Sequence, residues 1–101
     1  MVIGHLDRLA AALLDDGWQV LPRYDHDPPF LRVWHPDLEV LGLSVGVRPG
    51  PAGTRQAAVW WYVMLPHVRL TPCADVAGAV GQIAWLLGPW VMAARQRRAA
   101  R

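Results

Sequence analysis

Between Ile3 and Asp16 the apolar positions recur every three or four residues: Ile3, Leu6, Leu9, Ala10, Leu13 and Leu14. That spacing puts them on one stripe and predicts a helix over residues 3–16. Gly17 follows as the left-handed residue that ends it. Asp15 and Asp16 in the last turn oppose the helix dipole.

From Trp18 the period shortens. Trp18–Leu21 reads as a strand, limited by Pro22 to a sheet edge or a bulge. Asp25-His26-Asp27-Pro28-Pro29 is a turn, and Phe30–His35 is a second strand with Leu31 and Val33 on one face and Phe30, Arg32 and Trp34 on the other. Pro36-Asp37 turns the chain into Val40–Val47, where Leu41, Leu43, Val45 and Val47 alternate with Gly42, Ser44 and Gly46. Residues 48–54 read as a hairpin loop and Ala57–Leu65 as a fourth strand, with a short fifth at His67–Leu70. The fourth strand is apolar on both faces, as an interior strand is. Trp60 or Trp61 is expected to lie over Gly42, because a ring replaces packing that a strand glycine lacks.

Thr71 is the expected N-cap of a closing helix with Pro72 in its first position. Val76, Val80, Ile83, Leu87 and Val91 make its stripe. Pro89 lacks the N–H that would bond to Trp85, so a break or kink is expected near Gly88-Pro89.

These elements define the fold class: a two-layer α+β domain, with an N-terminal helix, an antiparallel meander of four or five strands and a C-terminal helix. With 101 residues the chain is one domain by size. Residues 1–94 form the expected compact unit, and residues 95–101 an Arg-rich tail.

Composition removes several chemistries. The residues are 53% hydrophobic and 18% charged, too apolar for disorder. All ten cations are Arg, so a Schiff-base or phosphate-loop lysine is excluded. Cys73 is the only cysteine, so no intramolecular disulfide forms and a reducing, cytoplasmic setting is expected. No charged stretch precedes a long apolar run at the N-terminus, so no secretory signal is read there. The net charge of +2 rests on Arg95, Arg97, Arg98 and Arg101, without which the body is slightly acidic.

Little catalytic chemistry is visible. Cys73 falls at the expected second helical position, where exposed N–H groups favour a thiolate, with His67 upstream as a base. A small buried residue at a helix start explains it more simply. Asp25, His26 and Asp27 with His35 and Asp37 could gather metal ligands, but Asp is common in solvated turns. Ser44, the one serine, lacks a nucleophile elbow. Pro49 and Pro51 remove donors that a phosphate loop needs. Glu39 is the only glutamate, so no Glu-based acid/base pair exists. No catalytic residue, metal site or cofactor is assigned, and the chain is read as a non-enzyme.

Six tryptophans remain to be explained: Trp18, Trp34, Trp60, Trp61, Trp85 and Trp90. Stacking of bases on a sheet wants basic residues between the rings, and only Arg32 lies near them on a predicted strand. Core and interface roles suit them better. Trp60, Trp61, Tyr62 and Trp34 are therefore the candidate interface residues for a protein partner or a homodimer. Arg95, Arg97, Arg98 and Arg101 are the candidate nucleic-acid residues of a regulatory accessory protein. The charge-free stretch Val76–Ala94 would span roughly 28 Å, close to a bilayer core. Its glycines, Gln82 and Pro89 fit a packed core helix better than an anchor.

The order of motifs resembles a diffuse group of small actinobacterial proteins. The resemblance is carried by Asp16-Gly17-Trp18-Gln19-Val20, by residues 28–36 (Pro-Pro-Phe-Leu-Arg-Val-Trp-His-Pro), by Val59-Trp60-Trp61 and by the Ala-rich closing helix. It covers most of residues 5–90. It implies an α+β domain, supplies no catalytic residues and leaves the Arg-rich end unexplained.

The leading expectation is a non-catalytic interaction module that self-associates through an aromatic sheet face. Contact with nucleic acid through the Arg-rich end and a C-terminal membrane anchor are the alternatives.

Overall fold

The computed structural model describes residues 2–50 and 59–100. Helix α1 (Val2–Asp15) is followed by strands β1 (Gln19–Arg23), β2 (Phe30–His35), β3 (Leu38–Gly50), β4 (Val59–Met64) and β5 (Val68–Pro72), then by helix α2 (Val76–Ala99). The strands form one sheet in the order β1-β2-β3-β4-β5, every neighbouring pair antiparallel. This is the expected α+β meander with five strands.

The stop of α1 follows from its sequence. Gly17 has φ +91°, and the Trp18 and Gly17 N–H groups donate to the Leu13 and Leu14 carbonyls. These two bonds satisfy carbonyls that the helix end would orphan. Leu6, Leu9, Ala10 and Leu13 are buried, whereas Ile3 and Leu14 are exposed, so the working stripe is narrower than the periodicity suggests.

Pro22 sits on β1, an edge strand paired only with β2, where its missing N–H costs no ladder bond. Both helices pack on one face of the sheet and against each other. Leu31, Val33, Val45, Val47, Tyr62 and Leu70 supply that face. Among the described residues the opposite face has no helix, and it carries Phe30, Arg32, Trp34, Arg48, Trp61, Val63 and Arg69 by register.

β4 is an interior strand buried on both sides, with Tyr62 facing the helices and Val63 the open face. Val63 pairs with Gly46, and Leu65 lies over the space that a Gly46 side chain would take. Neither Trp60 nor Trp61 covers Gly42. β4 pairs with β3 only from Val45 to Gly50, so Gly42 lies beyond its reach; it pairs with Trp34, and the Arg32 guanidinium lies over it. The ring-over-glycine device occurs one strand end away, where the Trp61 indole lies over Gly50.

The start of α2 differs from expectation. Thr71 and Pro72 belong to β5, and Asp75 is the N-cap, accepting from the Gly78 N–H at 2.9 Å. Thr71 is buried and donates its hydroxyl to the Asp75 carbonyl at 2.9 Å, tying strand end to helix start. α2 continues through Pro89 and through the Arg-rich segment to Ala99 without a break. Residues 95–99 are thus the last turns of a docked helix. Arg101, and the part of the predicted β3–β4 loop and fourth strand at residues 51–58, lie outside the described residues.

Candidate functional site

The four candidate interface residues do not share one surface. Tyr62 is fully buried, and its hydroxyl donates to the His5 carbonyl of α1 at 2.6 Å. It therefore offers nothing to a partner; pairing Val47 with Tyr62 turns its ring toward the helices. Trp60, two residues away, is on the same side and packs partly buried against the core. Trp34 and Trp61 lie on the open face, both half-buried. Alternation along the strands divides the set into two pairs on opposite faces.

The Arg cluster divides as well. Arg95 Nε donates to Asp37 Oδ2 at 2.6 Å, and an Arg98 guanidinium nitrogen donates to the Asp37 carbonyl at 2.7 Å with the carboxylate 3.3 Å away. Asp37 stands in the two-residue turn between β2 and β3, so this clasp fastens the end of α2 to the sheet. The Arg95 hydrogen bond holds the Asp37 carboxyl below the usual carboxylate range. His35 accepts the Asp37 backbone N–H on Nδ1 at 3.0 Å and meets the Trp18 ring edge-on at 5.1 Å. Arg97 is exposed.

The largest exposed rings belong to neither candidate set. Trp85 is 79% exposed and Trp90 60%, with Met92 at 58%. Helix geometry explains the exposure of Trp85 and Met92. The buried stripe is Ala79, Ile83, Leu87, Val91 and Ala94, while Trp85, Gly88, Pro89 and Met92 fall on the opposite side of α2. They line a shallow apolar groove with Ala84 and Leu86. One sequence signal pointed here. The segment is apolar all round, yet a single sheet can cover only one side of a helix.

The thiol and metal chemistries are not assembled. Cys73 lies in the turn before Asp75, buried, and burial pushes its thiol up to about 11. That favours the inert thiol over the thiolate. His67 is exposed in the β4–β5 turn. Asp25, His26 and Asp27 are exposed in the β1–β2 turn, where His26 packs its edge on Phe30, while Asp37 is taken by Arg95 and Arg98. Among the described residues no three His, Cys, Asp or Glu side chains converge.

On the open face, Arg48, Pro49, Gly50, Trp61, Val63, His67 and Arg69 line a cleft of about 270 Å³. The Arg69 guanidinium stacks 5.4 Å from the Trp61 ring centre. The Trp61 indole N–H is buried without a hydrogen-bond acceptor among the described residues.

No protein-family model, curated protein or solved structure matches this chain.

Proposed function

We propose that this chain is a non-catalytic interaction module that self-associates through the outer face of α2. The carrying observation is the 79% exposure of Trp85 on a helix side that also presents Met92 and Pro89. A contiguous apolar patch on a soluble domain generally marks a partner site, and Trp is enriched where binding energy concentrates.

A second copy of the chain is the occupant that the patch fits. A two-fold interface requires a surface complementary to itself. Here Trp85 and Met92 line the same shallow groove as the small residues Ala84 and Gly88, so large and small side chains belong to one patch. The two sheets would then face away from each other.

A membrane-spanning role for α2 is less well supported. The helix is long and apolar enough by composition. Spanning would, however, strip Ala79, Ile83, Leu87 and Val91 from the core and release Arg95 and Arg98 from Asp37. The single buried thiol is compatible with a reducing, cytoplasmic setting.

Sedimentation velocity tests the proposal. The chain should sediment as a dimer, and Trp85→Glu should yield a folded monomer, since the substituted position is exposed. A wild-type monomer over the accessible concentration range would overturn it, as would a dimer indifferent to Trp85→Glu. Partition of the wild type into neutral lipid vesicles, lost with Trp85→Glu, would assign the patch to lipid instead.

A further inference from the structure

We infer that the open face of the sheet binds single-stranded nucleic acid. The inference is independent of the α2 interface, which lies on the other side of the molecule.

The register brings together residues that are far apart in sequence. Arg23 pairs with Phe30, Phe30 with Gly46, Gly46 with Val63, and Val63 with Arg69. Directly opposed residues share a face, as do residues two apart on one strand. Arg32, Trp34, Arg48 and Trp61 therefore lie on this same face. Four cations from four different strands thus alternate with three aromatic rings on the sheet face turned away from the helices.

The charge on this face is unspent. The ion pairs found among the described residues all involve Asp37, in the β2–β3 turn, and none reaches Arg23, Arg32, Arg48 or Arg69. Among the described residues no acid lines the Arg48–Arg69 cleft, where exposed His67 adds a further donor. Of the six Arg residues that precede the terminal cluster, four lie on this face. Arg23, Arg48 and Arg69 are exposed, and Arg32 and the rings of Phe30, Trp34 and Trp61 are half-buried.

Flat rings between guanidinium groups match a ligand that alternates flat bases with phosphates. Single strands present unstacked bases to aromatic side chains while their backbone follows the positive charge. A duplex hides its bases and would use the charge alone. An acidic peptide would likewise use the charge and leave the rings idle. Between the rings, the Arg32 guanidinium lies over Gly42 and the Leu65 side chain over Gly46.

The test is fluorescence anisotropy with a labelled oligo(dT) of roughly 15 nucleotides at low salt, against a duplex of equal length. The single strand should bind more tightly. Its affinity should fall with salt, and the logarithmic slope should shrink by about 1.4 in Arg48→Ala/Arg69→Ala, two phosphate contacts being lost. That variant should lose at least about tenfold in affinity, while Arg48→Lys/Arg69→Lys keeps most of the salt slope. Trp61→Ala should weaken binding with little change of slope, because stacking releases no counterions. Arg97→Ala, in the exposed helix end, should bind as the wild type does. Absence of binding at low salt overturns the inference. So do equal affinity for the duplex, equal competition by poly-glutamate (which would assign the face to an acidic protein), and a loss that follows Arg97 rather than Arg48 and Arg69.

Discussion

The hydroxyl of Tyr62 on β4 donates to the main-chain carbonyl of His5 on α1 at 2.6 Å, across 57 positions of sequence. It fastens the first helix to an interior strand. Tyr62→Phe keeps the ring and removes the bond. It should cost about 1 kcal/mol in chemical denaturation, with the fold retained, because the carbonyl left behind already serves the helix ladder.

The same tyrosine sets an alkaline limit. Burial, first, and the neighbouring Cys73 push its hydroxyl up to about 12. The folded chain thus holds the neutral phenol where the unfolded chain ionises near pH 10. The stabilisation is complete below about pH 10 and is lost as pH rises toward about 12. Melting temperature measured through this range should fall more steeply in the wild type than in Tyr62→Phe. Parallel curves would show that Tyr62 is not responsible.

Asp37 gives the opposite sign at the acid end. Its carboxyl is held low by the Arg95 hydrogen bond, with Arg98 adding to the effect. The clasp is complete above the ordinary carboxylate range and is lost as pH falls through the lowered value. These groups are solvent-exposed, so the readout is local rather than global. Asp37→Asn should speed amide hydrogen exchange over residues 92–99 and leave α1 and the sheet unchanged. High salt should speed it in the wild type by screening the same contact.

Cys73 should behave as a core residue. Its thiol is buried and raised to about 11, which leaves little thiolate at neutral pH. Alkylation at neutral pH should be slow and should accelerate with denaturant in step with unfolding. Rapid labelling of the native chain would reveal an accessible thiolate.

Gly50 is fixed by the ring above it. A Cβ at this position would overlap the Trp61 indole. Gly50→Ala should therefore displace the ring and destabilise the chain by about 1–3 kcal/mol, a typical overpacking cost. The Trp61 indole N–H resonance should move more than those of the other tryptophans, none of which lies over Gly50.

Local chemistry was legible residue by residue. The Gly17 stop, the edge position of the Pro22 strand, the two-sided burial of β4 and the α-β-α order all follow from period, φ preference and missing donors. What failed at this level did so at boundaries and partners. Asp75 displaced Thr71 as N-cap because Thr71 was drawn into β5. The Arg95 and Arg98 end became a docked helix turn because Asp37 stands opposite it. That pairing spans 58 positions of sequence, and no local pattern encodes it.

The sequence by itself determined which segments bury a face, because hydrophobic period and turn residues act over a few positions. Only the tertiary structure decided which rings remain outside. Both helices pack on one side of the sheet, so the outer side of α2 keeps Trp85 uncovered. Register then turns Tyr62 inward and gathers Arg23, Arg32, Arg48 and Arg69 on the open side. A shift of one residue in pairing would exchange those faces, and pairing is a property of two strands, never of one.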